Sequence, residues 1–281
     1  MGPRVERGWK GHRMGCFART VAISLTAAIA ASASVASETE AVPASEREMV
    51  VLLHGLGRSS FSMKALASKL EDAGFATTNI DYPSTKLEAG RLGGMLGDRL
   101  DACCRGAGRL HFVTHSMGGI VVRSYLAEHR PENLGRVVML APPNKGSEWV
   151  DFFADVAVFS WVMGPTATRL GTDGESLPNR LPPADFPLGV IAGTGVVNPV
   201  GAGIIPGDDD GTVSVESTRL DGMTDFIAVE ASHSFIMYSD EVAAQVIAFL
   251  EKGRFDHGAG SLDAEPAPVG DDPAGSGAAA E

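Results

Sequence analysis

One serine, Ser116, lies where an apolar run meets a helix-like segment, and its surroundings are the clearest chemical signal in the sequence. Residues 110–114 suit a buried strand, and residues 117–126 follow the pattern of a helix. A serine at the apex of such a strand-to-helix turn has its hydroxyl lifted out of the sheet, as a nucleophile requires. Thr114 occupies the place where the G-x-S-x-G pattern has its first glycine. An ordinary turn serine therefore stays open as the alternative.

A nucleophilic serine needs a base for its proton, an acid that orients the base, and donors for the oxyanion. In an open parallel sheet, these groups lie just past the carboxyl ends of the strands. The sequence has polar residues at such positions in His54, in the aspartates at 208–210 and in His233. With Ser116 they follow the order Ser, Asp, His, which differs from the orders of chymotrypsin and subtilisin.

Alternating apolar runs and amphipathic segments indicate which elements position these residues. Strand and helix patterns alternate four times with short links before residue 141. This alternation predicts a parallel sheet with helices on both faces, the α/β class. The predicted strands cover residues 49–53, 76–80, 110–114, 136–140, 188–193 and 225–229, and the predicted helices cover residues 61–70, 87–100, 117–129, 150–161 and 242–250.

Residues 141–185 interrupt the alternation and contain no clear strand pattern. An insertion of this length within one domain is usually functional. It opens with an apolar helical stretch that carries several large side chains, namely Trp149, Phe152, Phe153, Phe159 and Trp161. Such side chains need either the core or an apolar substrate as a partner. We interpret the insertion as a substrate cap and leave core packing open as the alternative.

Several short motifs resemble those of the α/β-hydrolase superfamily, and in particular of its bacterial lipases and esterases. The likeness covers residues 48–252. The residues that carry it are His54-Gly55-Leu56-Gly57, which resembles the oxyanion loop; residues 142–147, which resemble the segment after the fourth strand; Asp210-Gly211-Thr212-Val213, which resembles the acid-bearing D-G-x-V; and residues 217–222 with His233. The resemblance implies the α/β-hydrolase fold: a mostly parallel sheet of about six strands, helices on both faces and a cap-like insertion.

The resemblance also implies roles for three side chains. Ser116 is expected to be the nucleophile, His233 the general base and Asp210 the acid. Asp210 is preferred to its two acidic neighbours because it directly precedes Gly-x-Val. A calcium site built from the three aspartates is the alternative for that cluster, although further spaced carboxylates are missing from the sequence around it.

The oxyanion hole follows from the same resemblance, whereas the substrate contacts follow from the apolar stretch that opens residues 141–185. The backbone amides of Leu56 and Met117 are expected to form the oxyanion hole. Trp149, Phe152 and Phe153 are expected to contact the substrate. No metal or other cofactor is expected, because this chemistry uses side chains and backbone donors alone.

These residues together predict a serine hydrolase that cleaves carboxylic esters, as lipases and carboxylesterases do, through an acyl-enzyme. The expected partner is a small-molecule ester or lipid. A thioesterase, acyltransferase or peptidase on the same triad stays open, because fold and triad do not separate these activities. So does a non-catalytic module that binds an apolar ligand. The sequence also leaves the oligomeric state open.

Both ends of the chain differ in composition from the middle. Residues 1–19 are basic, residues 20–33 are apolar, and small residues follow, which predicts a signal peptide at residues 1–36 and an exported protein, periplasmic or extracellular. The apolar run is too short for a stable membrane span; an uncleaved anchor or a disordered tail is the alternative. The catalytic domain is expected at residues 37–252, and a disordered low-complexity tail at residues 253–281.

The net charge argues against nucleic-acid binding, and the spacing of the cysteines argues against a metal site. The formal net charge of -12 disfavours nucleic-acid binding, since an acidic surface repels phosphates. Cys103 and Cys104 are neighbours and lack the spacing of a metal site. We expect packed thiols at a helix end, with a disulfide between the two neighbours as the alternative, because such a bond is strained.

Overall fold

A six-stranded sheet organises the described residues of the computed structural model. These residues are 48–86, 89–154, 156, 161, 163, 164, 166–196 and 203–258. The signal peptide expected at residues 1–36 lies outside them. The strands are β1 (Glu48–Leu53), β2 (Ala76–Ile80), β3 (Arg109–His115), β4 (Leu134–Leu140), β5 (Leu188–Gly193) and β6 (Asp225–Val229).

All the strands run parallel, in the order β2-β1-β3-β4-β5-β6. The chain leaves β1 to form β2 on one side and then crosses to form β3 on the other. Leu53 pairs with Thr114, so the loops that follow β1 and β3 leave the sheet side by side. In open parallel sheets, ligands bind at the carboxyl ends of the strands where the strand order reverses in this way.

Helices cover both faces of the sheet, which confirms the predicted α/β class and the α/β-hydrolase type of architecture. They are α1 (Lys64–Asp72), α2 (Ala89–Cys103), α3 (Met117–Glu128), α4 (Glu148–Phe153), α5 (Leu177–Arg180), α6 (Val215–Thr218) and α7 (Asp240–Lys252), with short 3-10 turns at Ser60–Met63 and Ile236–Tyr238. Within the described ranges, no helix is both long and apolar enough to cross a bilayer.

Two hydrophobic clusters fill the space between the sheet and its helices. Val51 and Leu53 of β1 belong to the cluster that contains the buried residues of α2 and α3. Val50 and Leu52 belong to the cluster that contains those of α1 and α7. Because both faces of β1 are covered, its residues 50–53 are buried and form a continuous apolar run.

The folded chain continues beyond residue 252, where the sequence predicted a disordered tail to begin. Phe255 is buried and packs on Phe249 of α7 with 5.0 Å between ring centroids. The backbone amide of Phe255 donates to Asp225 Oδ2 at 2.7 Å, and His257 Nε2 lies 2.8 Å from Asp225 Oδ1. A single aromatic residue, Phe255, anchors this Gly- and Asp-rich segment to the core. The average composition of the segment does not reveal such a residue.

The insertion after β4 is held to α3 by a buried arginine. Arg123 donates through Nη1 to the carbonyl of Asn144 at 3.0 Å and through Nη2 to the carbonyls of Pro178 and Leu181 at 3.1 and 3.2 Å. Burial lowers the pKa of Arg123 to about 10. Its acceptors are carbonyl groups from both ends of the insertion, so one side chain fixes two loops against the helix that follows Ser116.

Cys103 and Cys104 form a disulfide, which corrects the expectation of packed thiols. Helix α2 ends at Cys103, and the amide of Cys104 still donates to the carbonyl of Leu100 at 2.9 Å. Cys104 is buried within the core cluster, whereas Cys103 is exposed. The bond lies at the end of α2, beside Met49 and Ala76 at the starts of β1 and β2.

Candidate active site

Ser116 forms a sharp turn between β3 and α3. Its backbone has φ 53° and ψ -125°, a conformation that side-chain-bearing residues rarely adopt and that costs free energy. The amide of Ser116 donates to the carbonyl of Leu140 at 2.8 Å, which ties the turn to the end of β4. A Cβ on Gly118 would lie 2.8 Å from the carbonyl oxygen of Leu53. Glycine at this position therefore lets α3 pack directly on the end of β1.

Thr114 is fully buried under this turn, in the place of the first glycine of the usual pattern. Its Oγ1 has no hydrogen-bond partner among the described residues. A Cβ on Gly119 would lie 3.4 Å from that oxygen and 3.1 Å from Met139 Sδ. Because Gly119 has no side chain, there is room for the side chain of Thr114 beneath the turn.

His233 joins Ser116 to Asp210. Its Nε2 lies 3.0 Å from Ser116 Oγ, and its Nδ1 lies 2.7 Å from Asp210 Oδ2. Since a carboxylate only accepts hydrogen bonds, Nδ1 carries the proton and Nε2 is left to accept from the serine hydroxyl. The three side chains predicted from the sequence are therefore brought together in the geometry of proton transfer from serine to histidine.

Asp210 is held by its own loop. Its Oδ1 accepts hydrogen bonds from the amides of Thr212 and Val213 at 3.0 and 2.9 Å, and its side chain is buried. Ser147 Oγ, in the segment after β4, donates to the carbonyl of Thr212 at 2.7 Å. The carboxylate thus keeps one oxygen on the loop and offers the other to His233.

The neighbouring aspartates make different contacts. Asp209 Oδ1 accepts from the amide of Gly211 at 2.6 Å, and burial raises the pKa of Asp209. Asp208 is exposed. Among the described residues, no three His, Cys, Asp or Glu side chains are grouped as metal ligands.

The two amides expected to bind the oxyanion are both available. Neither Leu56 nor Met117 donates a backbone hydrogen bond within the described part of the chain. A Cβ on Gly55 would lie 3.1 Å from Ser116 Cβ, so the loop after β1 runs beside the serine. Met117 is the first residue of α3, where backbone amides point outward without helical partners.

His54 stabilises the loop after β1. Its Nδ1 donates to the carbonyl of Gly55 at 2.8 Å, and its ring stacks on Tyr82 at 4.2 Å. The hydroxyl of Tyr82 donates to the His54 carbonyl, and the amide of Gly57 donates to Ser84 Oγ at 3.1 Å. Burial lowers the pKa of His54, which keeps the ring neutral. His54 therefore has a structural role in the loop that carries Leu56.

A model of the alpha/beta hydrolase family matches residues 50–245, a range that contains Ser116, Asp210 and His233. The chain belongs to the alpha/beta hydrolase family. It is a hydrolase whose sheet, helices and serine turn follow the family architecture. A search of the curated proteins finds no match for it.

Several solved structures share the fold of this hydrolase. A Bacillus licheniformis lipase in mature form is 22% identical with TM-score 0.56, over 70% of this chain and 88% of that one. A Legionella pneumophila phospholipase is 18% identical with TM-score 0.55, over 71% of this chain and 57% of that one. A metagenomic carboxyl esterase is 17% identical with TM-score 0.54, over 69% and 67%. The hydrolase therefore spans less than two thirds of the phospholipase, and identities this low establish the fold alone.

The aromatic residues predicted to contact substrate divide into two groups in the hydrolase. Trp149 and Phe153 are partly buried and pack against the core, with 4.7 Å between their ring centroids. Phe152 is 59% exposed. Helix α4 ends at Phe153, short of the predicted residue 161. Phe152 is thus the most exposed of the three rings, whereas Trp149 and Phe153 are partly exposed and partly packed on the core.

Two residues that the sequence did not single out shape the site. A Cβ on Gly193, at the end of β5, would lie 2.3 Å from the carbonyl oxygen of Ala231 and 2.9 Å from Asp210 Cβ. A glycine at the end of a buried strand is the signal that could have indicated this close approach. His115 directly precedes the serine, and its Nε2 lies 2.9 Å from the carbonyl oxygen of His233.

Proposed function

We propose that this hydrolase cleaves carboxylic esters through a Ser116–His233–Asp210 triad and an acyl-enzyme. The observation that carries the proposal is the position of His233, with one ring nitrogen 3.0 Å from a serine oxygen and the other 2.7 Å from a carboxylate. A histidine held in this way is a competent general base, because the carboxylate fixes its tautomer and stabilises the imidazolium that forms.

The proposed reaction has two halves. His233 Nε2 takes the proton of Ser116 Oγ while that oxygen bonds to the acyl carbon of the ester, and the amides of Leu56 and Met117 donate to the resulting oxyanion. The imidazolium returns the proton to the departing alcohol as the ester bond breaks. Water then attacks the acyl-serine with His233 again as the base, which releases the carboxylic acid and restores Ser116.

The ester substrate is supported by two further observations. The solved neighbours named above are a lipase, a phospholipase and a carboxyl esterase. The chain itself presents aromatic side chains near the start of the insertion, with Phe152 exposed. We therefore propose a small-molecule ester or lipid with an apolar acyl group as the substrate, and Trp149, Phe152 and Phe153 as the apolar surface that it contacts.

The test combines covalent labelling with turnover. The wild type should react with a fluorescent alkyl phosphonate and hydrolyse p-nitrophenyl butyrate. Ser116→Ala should lose the label and at least about 1,000-fold in kcat. Ser124→Ala, which removes a buried hydroxyl from the same helix, is the matched control and should keep both. Labelling that persists in Ser116→Ala would exclude this serine as the nucleophile.

A substrate panel then separates the remaining activities on the same triad. Esters of graded acyl length, a thioester of matched acyl group and an activated peptide should be compared by kcat/KM. The proposal expects the oxygen esters to be hydrolysed fastest. A wild-type protein that reacts with no phosphonate and no activated ester would instead favour a module that only binds an apolar ligand.

A further inference from the structure

The residue that precedes Ser116 in the chain also contacts the loop that carries His233. His115 is the last residue of β3 and its side chain is 1% exposed. Its Nε2 lies 2.9 Å from the carbonyl oxygen of His233. Since a carbonyl only accepts, Nε2 carries the proton of this ring and donates it to that oxygen. The backbone of the base is therefore bonded to the strand that carries the nucleophile.

Other bonds hold the same loop from different directions. The amide of His233 donates to the carbonyl of Asp210 at 3.0 Å. Arg58 Nη2, at the end of the loop after β1, donates to the carbonyl of Ser234 at 3.0 Å, but this contact is exposed to solvent. The bond from His115 links His233 to β3 and is partly buried, so it is less open to competition from water than the exposed contact of Arg58.

The need to fill space in the core does not by itself explain why residue 115 is a histidine. The Nδ1 of His115 is buried and has no hydrogen-bond partner among the described residues. A Cβ on Gly55 would lie 2.8 Å from it, so the loop after β1 covers this side of the ring. An unpaired buried nitrogen costs free energy that an apolar side chain would avoid. Burial, and then the charge of nearby His233, hold the pKa of His115 well below its usual value, so the ring is a neutral donor.

We infer that His115 is a positioning residue for acyl transfer, which holds the His233 backbone so that the His233 ring stays within hydrogen-bond distance of Ser116. The inference rests on the proposed function of the same site. His115 itself touches neither Ser116 Oγ nor the substrate in this role. Its contribution is geometric, and displacement of a catalytic group by about 1 Å can cost about 100-fold in rate.

Three substitutions separate the hydrogen bond from the volume of the side chain. In His115→Gln the amide nitrogen is as many bonds from Cβ as Nε2 is in histidine, so the bond to His233 can be restored. In His115→Asn the nitrogen is one bond short, and in His115→Leu the donor is absent. We expect kcat to fall about 10- to 100-fold in the Asn and Leu variants, with KM changed less than about 2-fold, and to stay within about 3-fold of wild type in the Gln variant.

His111→Leu is the matched control. His111 is a second buried histidine of β3, four residues earlier and thus on the same face of the strand. Its Nδ1 accepts from the backbone amide of Arg136 at 3.0 Å, at the far end of the strand from Ser116. This variant should lower the melting temperature as much as His115→Leu does and leave kcat within about 3-fold of wild type.

The measurement is kcat and KM on p-nitrophenyl butyrate, with active enzyme counted by complete phosphonate labelling, together with melting temperatures. Equal kcat in the Gln and Asn variants would overturn the inference, and so would a fall in kcat shared by His111→Leu. If His115→Leu does not fold, the Gln and Asn pair decides alone. Failure of the proposed function is seen separately, because it would appear as labelling or turnover that survives Ser116→Ala.

Discussion

His233 Nε2 lies 3.0 Å from Ser116 Oγ, although 117 positions separate the two residues in the chain. Ser116 follows β3 directly, and His233 follows β6, which lies at the far edge of the sheet from β2. The loop after β6 therefore crosses the ends of the intervening strands to reach the serine. Asp210 lies beside the loop of His233, because the loop that carries Asp210 follows β5, the neighbour of β6.

Asp210→Asn should lower kcat strongly and leave the fold intact. The amide can still accept from the loop through its oxygen, but its nitrogen would face His233 Nδ1 and favour the wrong tautomer. We expect a loss in kcat of about 1,000- to 10,000-fold with a nearly unchanged melting temperature. Asp208→Asn, at an exposed aspartate, is the control and should retain wild-type turnover. An equal loss in both variants would contradict the choice of acid.

Thr114→Val should stabilise the protein slightly. The hydroxyl of Thr114 is buried and unpaired among the described residues, and valine has the same shape without it. We expect a gain of about 1 kcal/mol in the free energy of unfolding and kcat within about 3-fold of wild type. Thr218→Val is the contrast, because Thr218 Oγ1 donates to the carbonyl of Val215 at 2.6 Å. That variant should lose about 1 kcal/mol in urea unfolding; a loss of the same size in Thr114→Val would show that its hydroxyl has a partner.

Gly118→Ala should destabilise the serine turn. The added Cβ would lie 2.8 Å from the carbonyl oxygen of Leu53 and 2.9 Å from that of His54, and backbone cannot move aside as a flexible side chain can. We expect a loss of about 1–3 kcal/mol in the free energy of unfolding, with reduced kcat because the loop that carries Leu56 is displaced. In Gly94→Ala, on α2, the Cβ would meet nothing within 4 Å, and stability should rise by about 1 kcal/mol. Chemical denaturation of both variants makes the comparison.

Acid should destabilise the protein partly through His111. Burial, and then the charges of Arg109 and Arg136, lower the pKa of this histidine to about 4 in the folded state, from 6.5. Below about pH 6.5 the unfolded chain binds a proton that the folded chain does not, so stability falls as the pH drops from there toward about 4. Between about pH 7 and about pH 5, His111 should account for a loss of about 2 kcal/mol. Between these two pH values, the free energy of unfolding of His111→Gln, measured with urea, should fall by about 2 kcal/mol less than that of the wild type. An equal fall in both proteins would show that protonation of His111 has no cost in the folded state.

Local sequence determined the strands and the candidate chemistry of this hydrolase. Strands such as β1 and β5 could be predicted within a residue, because the part of a strand that is buried on both faces is a continuous apolar run. The serine turn was visible despite Thr114, because an apolar run, a serine and two glycines follow one another. The order of Ser116, Asp210 and His233 then indicated the triad, since parallel strands place their carboxyl ends at one edge of the sheet.

Tertiary structure decided what depends on contacts between distant segments. The bond from His115 to His233 spans 118 positions, and the docking of Phe255 on Phe249 depends on a single ring in a polar tail. The partial burial of Trp149 and Phe153 depends on how the insertion packs against the core. Periodicity reports which face of an element is apolar. It does not report which segment covers that face, because packing between elements depends on contacts between segments that are distant in the sequence.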